Sequence, residues 1–424
     1  MAESLTFTTL GELIKGKRTE LGVSLSELGR VSGVSKGVIS KIETGETRRP
    51  ELKTLKSLSE ALEIPYEEIM DRYIDIEHRI DILGELLFES IELSNNPLIT
   101  KVSQQIMESP NEDTYIILQH LYDLSSTVAD NEAKLTIYDV IIKYARLHGV
   151  PKYIAKGLLQ KYFIESQNLK KKEKSFKSGE EILYYTDFLD QEEKINFYYL
   201  MAFDAHGIGK YEQCIKLGKM GHAEDKTNNE VKERVALAIC NAYSRMGNYT
   251  ALEEHLNRYA ELNFDFVIKR IKYYRAIILS NTGQEFEAIP LLKECVEEAE
   301  DNHRLHRVND LLEVLLKVND LYTAQQILDK EEKNTFVKLF TAYKISELGK
   351  YYRLKGTFLV RNGLFNQGME SYLKAMDFYS KINDRSGIMK CSEKVYAHHN
   401  EQSKVMELGL LKRLQEVYNV VNKG

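Results

Sequence analysis

Between Ser32 and Pro50 the sequence reads SGVSKGVISKIETGETRRP, and polar side chains outnumber apolar ones. Ser35, Lys36, Gly37, Ser40 and Lys41 fall at the start and along one side of a short helix. Val38, Ile39 and Ile42 form its apolar side. Hydroxyls and amines so placed can hydrogen-bond base edges or phosphates of a duplex, and Gly37 lets backbone come close. Arg48, in the loop beyond, adds a cation that suits a phosphate.

A second set of side chains recurs at matched distances before a repeated turn phrase. It comprises Asn196, Tyr199 and Phe203; Arg234, Leu237 and Asn241; Arg270, Tyr273 and Ile277; His306, Asn309 and Glu313; and Lys350, Arg353 and Thr357. A core would not use so many polar groups at one offset, whereas a groove for an extended peptide would. An Asn amide can donate to one backbone group and accept from another. Arg can hold a carboxylate bidentately, and Tyr or Phe can wall a side-chain pocket. Asn196, Tyr199, Phe203, Arg234, Asn241, Arg270, Tyr273, His306 and Asn309 are therefore the candidate peptide-binding residues.

Other chemistries have no foothold. The 10 histidines show no HxxxH spacing and the 4 cysteines no CxxC, so neither a metal nor another cofactor is expected. No nucleophile–base pair or glycine-rich phosphate loop is present, so there are no catalytic candidates and an enzyme is not expected. Cys214, Cys240, Cys295 and Cys391 are far apart in helical patterns and read as small apolar groups in a reducing cytosol. No run approaches ~20 apolar residues, so no membrane partner is expected. The start, MAESLTFTTLGEL, carries Glu3 early and lacks a basic flank, so it does not read as a signal peptide.

The elements that must position the first set are short helices. Leu10, Leu13, Ile14 and Leu21 predict an amphipathic helix. Ser24 and Glu27 suit a capping box for a second helix, with Leu25, Leu28 and Val31 apolar and a stop at Gly33. Ser35 caps the third. A fourth (Leu52, Leu55, Leu58, Ala61, Leu62) and a fifth near Pro65 complete a bundle. Two short helices joined through a glycine turn make a helix-turn-helix, whose second helix meets DNA with its N-terminal residues. From Leu10 to Arg49 eight Lys/Arg face five Glu, a modest basic bias. The stretch SLSELGRVSGVSKGVISKIETGETRRPELKTLKSLSEALEIPYEEIM resembles the Cro/repressor-type helix-turn-helix domain over about residues 10–71. It departs from that pattern at Leu25, where a phosphate-contacting Gln is common, and at Gly29, where alanine usually packs.

The rest of the chain, at 424 residues too long for one ordinary core, shows only helical patterns. YIDIEHRIDILGELLFESIEL reads as one continuous linking helix. A turn phrase then recurs at Gly209, Gly247, Gly283, Asn319 and Gly363, with a weaker copy at Gly149. An aromatic two residues on (Tyr211, Tyr249, Phe365) and a small residue four or five on (Cys214, Ala251, Ala288, Ala324, Gly368) suit paired helices. This resembles the tetratricopeptide repeat, from Gly209 to Tyr379 above all. Pro290 is expected to shorten or kink its helix. The basic run KKKEKSFK, Lys170 to Lys177, reads as a solvated loop or helix end. The last helix reads as a cap, and Leu410, Leu414, Val417 and Val421 as a stripe for a homodimer.

The expected organisation is all-α: a five-helix domain over 1–71, a linker helix over 72–96, and a right-handed repeat superhelix over 97–424. This order resembles the RRNPP quorum-sensing regulators, within which the length is most similar to the neutral-protease-regulator branch, NprR. The resemblance implies a cytoplasmic transcription regulator. Its partners would be double-stranded DNA, a short signalling peptide, and a second copy of the chain, with a higher oligomer once peptide binds. It also implies an alternative: a Rap-like module that binds a response regulator of the sporulation phosphorelay, which one chain could combine with the first role.

Overall fold

The computed structural model describes residues 9–110, 112–168, 171–332 and 341–422, without the side chains of 301, 302 and 420–422. The stretch around Glu3, Lys170 and the Val421 side chain lie outside the described residues. Among those described every regular element is helical. The chain divides into two compact units, Met1–Ile164 and Glu165–Gly424.

The first unit begins with α1 (Leu10–Glu20), α2 (Leu25–Ser32), α3 (Lys36–Glu43), α4 (Leu52–Ala61) and α5 (Tyr66–Ile74). Their inward residues, among them Ile14, Leu28, Ile39, Ile42, Leu55, Leu58 and Ile69, are all but fully buried. Sequence over-assigned the apolar faces: Val31 and Val38 are exposed, because a two-turn helix turns only about one residue per turn inward. Ser24 accepts from the Glu27 N–H, but the reciprocal half of the expected capping box is absent. The full box forms on α1, between Thr9 and Glu12.

At Gly29 an added Cβ would lie 2.8 Å from the Val34 carbonyl oxygen and 3.4 Å from the Lys36 nitrogen. The missing side chain lets α2 lie close to the start of α3. Gly29→Ala gains at most ~1 kcal/mol of helix propensity but overpacks two backbone segments, at about 1–3 kcal/mol. Thermal melting followed by circular dichroism is expected to show a lowered midpoint; a raised one would mean the crossing relaxes freely.

The unit continues as α6 (Ile80–Glu92), α7 (Asn96–Met107), α8 (Thr114–Thr127), α9 (Asn131–Leu147) and α10 (Pro151–Glu165). The continuous linker expected over 72–96 is instead broken at 75–79, and the 71/72 boundary falls inside the unit. The reason is a polar knot. Glu77, fully buried, accepts from the His78 and Arg79 N–H groups, the Arg79 guanidinium and the Tyr73 hydroxyl. Burial pushes its pKa up, but these donors outweigh burial and hold it at about 2. Lys101 of α7 reaches Asp71 at 2.8 Å and Asp75 at 2.9 Å, and the Tyr66 hydroxyl donates to Glu89 of α6.

The second unit comprises α11 (Lys172–Gly179), α12 (Gln191–Gly207), α13 (Tyr211–Glu224), α14 (Glu230–Arg245), α15 (Tyr249–Glu261), α16 (Asp265–Ile268), α17 (Ile271–Asn281), α18 (Glu285–Glu297), α19 (Asp301–Lys317), α20 (Leu321–Glu332), α21 (Ala342–Arg361), α22 (Phe365–Lys381), α23 (Arg385–Glu401) and α24 (Leu408–Asn422). Five helix pairs, α12/α13, α14/α15, α17/α18, α19/α20 and α21/α22, form a helical-repeat array. The turn residues Gly209, Gly247, Gly283, Asn319 and Gly363 all have positive φ, which accounts for the recurring phrase. Cys214, Ala288, Ala324 and Gly368 are buried at the pair contact, but in the second pair the matching position is Leu252, one residue after Ala251. Phe365 is buried, whereas Tyr211 and Tyr249 are half-buried. α18 runs through Pro290 at the same length as α15, so the proline does not shorten it.

Leu414 is buried in the α22/α23 core, with Leu410, Val417 and Tyr418 packed against it. Three residues of the stripe expected to dimerise, Leu410, Leu414 and Val417, therefore pack against their own array.

Candidate functional site

The helix-turn-helix presents its predicted residues outward. Ser35 Oγ accepts from the Val38 N–H at 3.3 Å, which leaves its hydroxyl proton free to donate. Lys36, Gly37 and Lys41 are exposed and Ser40 is half-buried one turn above Lys36. Nothing lies within 4 Å of where a Gly37 Cβ would be. Arg48 is exposed. Two cations of the basic bias are used internally. Arg18 forms a two-pronged ion pair with Glu43 at 2.6 and 2.9 Å, and Arg49 donates to the Ile76 carbonyl. Val38, expected in the core, is 39% exposed beside Gly37 and offers a methyl-sized apolar contact.

In the second unit two cavities, of 940 Å³ and 390 Å³, share Asn241 and Tyr343 as walls. Such volumes suit small-molecule or short-peptide ligands. The larger is lined by Phe203, Leu237, Arg234, Phe266 and Arg270, with His206 and His303. The guanidiniums of Arg234 and Arg270 both lie over the Phe266 ring, at 5.4 and 5.6 Å. Arg234 pairs with Glu230, whereas Arg270 donates to the Phe266 carbonyl and meets His303 Nε2 at 3.0 Å, with no carboxylate partner among the described residues. The smaller cavity is polar, with Arg245, Tyr273, Asp310, Glu313 and Lys350.

The structure thus brings together Phe203, Arg234, Asn241, Arg270 and Tyr273 and sets the other candidates apart. Asn196 is exposed and lines neither cavity. Tyr199 is buried in its own pair, its hydroxyl donating to Asp225 at 2.9 Å. His306 sits behind Tyr273 and Tyr343, and burial pushes its pKa down to about 4, so it is neutral. Asn309 is fully buried, and its amide donates to the Glu347 carbonyl and carboxylate at 2.8 and 2.9 Å, an internal role rather than a ligand contact. Asn241 lets its carbonyl accept from the Tyr274 hydroxyl at 3.0 Å, while its amide nitrogen has no partner among the described residues.

Sequence reasoning missed Phe266, Tyr343 and Arg245. Phe266 lies on the extra short helix α16, and Tyr343 on the first turn of the 20-residue α21. The long step from Asn319 to Gly363 was the only signal of that extra helix length.

A positively biased helix-turn-helix with an outward polar recognition helix defines a DNA-binding module. The helix-turn-helix family profile matches residues 14–69. The transcriptional repressor RghR of Bacillus subtilis is 32% identical over 129 residues, 28% of this chain and 93% of the relative. The regulator SinR of the same organism is 30% identical over 96 residues, 23% of this chain and 83% of the relative. The chain belongs to this helix-turn-helix family of transcriptional regulators, and it is a DNA-binding transcriptional regulator. Two solved structures also match along most of the chain. Bacillus thuringiensis PlcR, in complex with the peptide PapR7 and DNA, has 14% identity over 93% of this chain and 99% of its own, with a TM-score of 0.23. The corresponding values for phAimR are 12%, 97%, 100% and 0.34.

Proposed function

We propose that the repeat array receives a short extended peptide and that its occupancy governs DNA binding. The observation that carries this reading is the pair of cavities joined at Asn241 and Tyr343, one walled by Phe203, Leu237 and Phe266, the other by charged groups. Arg270 is the anchor for a ligand carboxylate, since no carboxylate forms an ion pair with it among the described residues, the cavity's Glu230 being paired with Arg234. Along α14 the lining runs from Glu230 to Arg245, ~22 Å of helix, which matches about seven extended residues. The Asn241 amide suits a ligand backbone carbonyl. One helix-turn-helix reads a single half-site, so two copies of the chain act together on an operator.

The test starts with operator DNA selected from random duplexes. Synthetic peptides encoded by small open reading frames beside the gene are then added in gel-shift and calorimetric titrations. A binding peptide changes the retarded species. Asn241→Ala and Arg270→Ala are each expected to weaken that peptide by about 5–150-fold, the consequence of leaving a buried polar group unpaired. Parent-like affinity in both variants would place the ligand elsewhere.

A further inference from the structure

In an open stack of helix pairs each pair touches only its neighbours. Here the first helices of the second and fifth pairs meet directly. Arg245 of α14 and Glu347 of α21 form an ion pair at 2.5 Å across 102 residues of chain. The Glu347 side chain is 7% exposed and also accepts from Asn309 of α19 at 2.9 Å. Around this pair the remaining first helices converge. Tyr343, one turn before Glu347, packs on His206 of α12 with ring centroids 5.5 Å apart. Lys350 binds Asp310 at 2.9 Å and Glu313 at 2.7 Å, and the Tyr273 hydroxyl of α17 donates to Asp310.

We propose that the Arg245–Glu347 pair is a clamp that holds the repeat array closed around its lumen. The asymmetry of solvation suits the role. Glu347 is sealed off, while the Arg245 side chain is 30% exposed and returns to water readily when the helices part. The neighbouring contacts make the clamp responsive. Asn241 lies one turn before Arg245 on α14 and Tyr343 one turn before Glu347 on α21, and these two line both cavities. Whatever separates or approximates Asn241 and Tyr343 therefore stretches or tightens the clamp one turn away. That coupling to a ligand rests on the peptide reading above; the closure itself does not.

The experiment uses the full chain without peptide, so its failure leaves the peptide reading untouched. Spin labels are attached through Thr250→Cys and Asn366→Cys, exposed positions on α15 and α22 outside the clamp. The native cysteines are buried, and burial pushes the Cys214 and Cys391 thiols up to about 12, so they resist labelling. Electron–electron double resonance then gives the distance distribution in the parent, in Arg245→Met, in Glu347→Gln, and in the charge swap of Arg245→Glu with Glu347→Arg. Both single variants are expected to shift the distribution to longer separations and broaden it, and the swap to restore the short, narrow one. Circular dichroism confirms that helix content is retained. Singles that keep the parent distribution, or a swap as open as the singles, would overturn the clamp.

Discussion

Alanine at both Lys36 and Lys41 is expected to weaken operator binding roughly 100-fold near physiological salt, about tenfold for each amine removed. Both amines are exposed on the recognition helix and neither makes an ion pair among the described residues. Their removal should therefore leave the melting temperature nearly unchanged. The salt dependence distinguishes phosphate from base binding. If both lysines meet phosphates, the slope of log affinity against log salt falls by about 1.8. If they meet guanine edges, affinity falls with a smaller change in slope and sequence preference relaxes at those positions. Filter-binding titrations over a salt series on a selected operator read all three quantities. Parent-like affinity in the double variant would show that α3 is not the reading helix.

Arg18→Met acts in the opposite way, through folding rather than through DNA. Arg18 links three pieces of the helix-turn-helix: it grips Glu43 at the end of α3 and donates to the Val23 carbonyl at 2.9 Å before α2. The Glu43 side chain is only 5% exposed and the Arg18 side chain 13%. Methionine keeps the apolar stem but strands a carboxylate in the bundle, at about 3 kcal/mol. DNA binding should fall with the melting of the domain although every side chain predicted to touch DNA is still present. Glu43→Gln retains hydrogen bonding to Arg18 and should lose less. Thermal melts of both variants that coincide with the parent would mean the pair behaves like an exposed one.

What the sequence made legible was local. Ser24, Gly33 and Ser35 announced two short helices and their turn, because caps and left-handed glycines act over three or four residues. The turn glycines of the array and Asn319 were equally readable, and matched offsets from them brought Phe203, Arg234, Asn241, Arg270 and Tyr273 to the cavities. What failed was non-local. Nothing near Asn309 reveals that Glu347, 38 residues on, takes its amide. Nothing near Arg245 predicts a partner 102 residues away. Tyr199 shared its offset with groove residues, but Asp225 in its own pair captured the hydroxyl. The linker misreading has another origin. The helical period carries on through 75–79, and the break comes from the burial of Glu77, which takes Tyr73, His78 and Arg79 as local partners in a pattern the period does not encode.

The knot at Glu77 has a consequence for how such a regulator can be cut or recombined. A seam placed after Asp71 would sever Lys101 from Asp71, one of its two carboxylates, and remove Tyr73, whose hydroxyl lies 2.8 Å from the Pro50 carbonyl beside α4. The orphaned reader would expose the apolar side of α5 and lose an anchor of the loop that follows its recognition helix. A protease probing the native protein should accordingly spare 72–80. A functional chimera that borrows this DNA reader must carry α6 and α7 with it, so the heritable module is larger than the motif that names it.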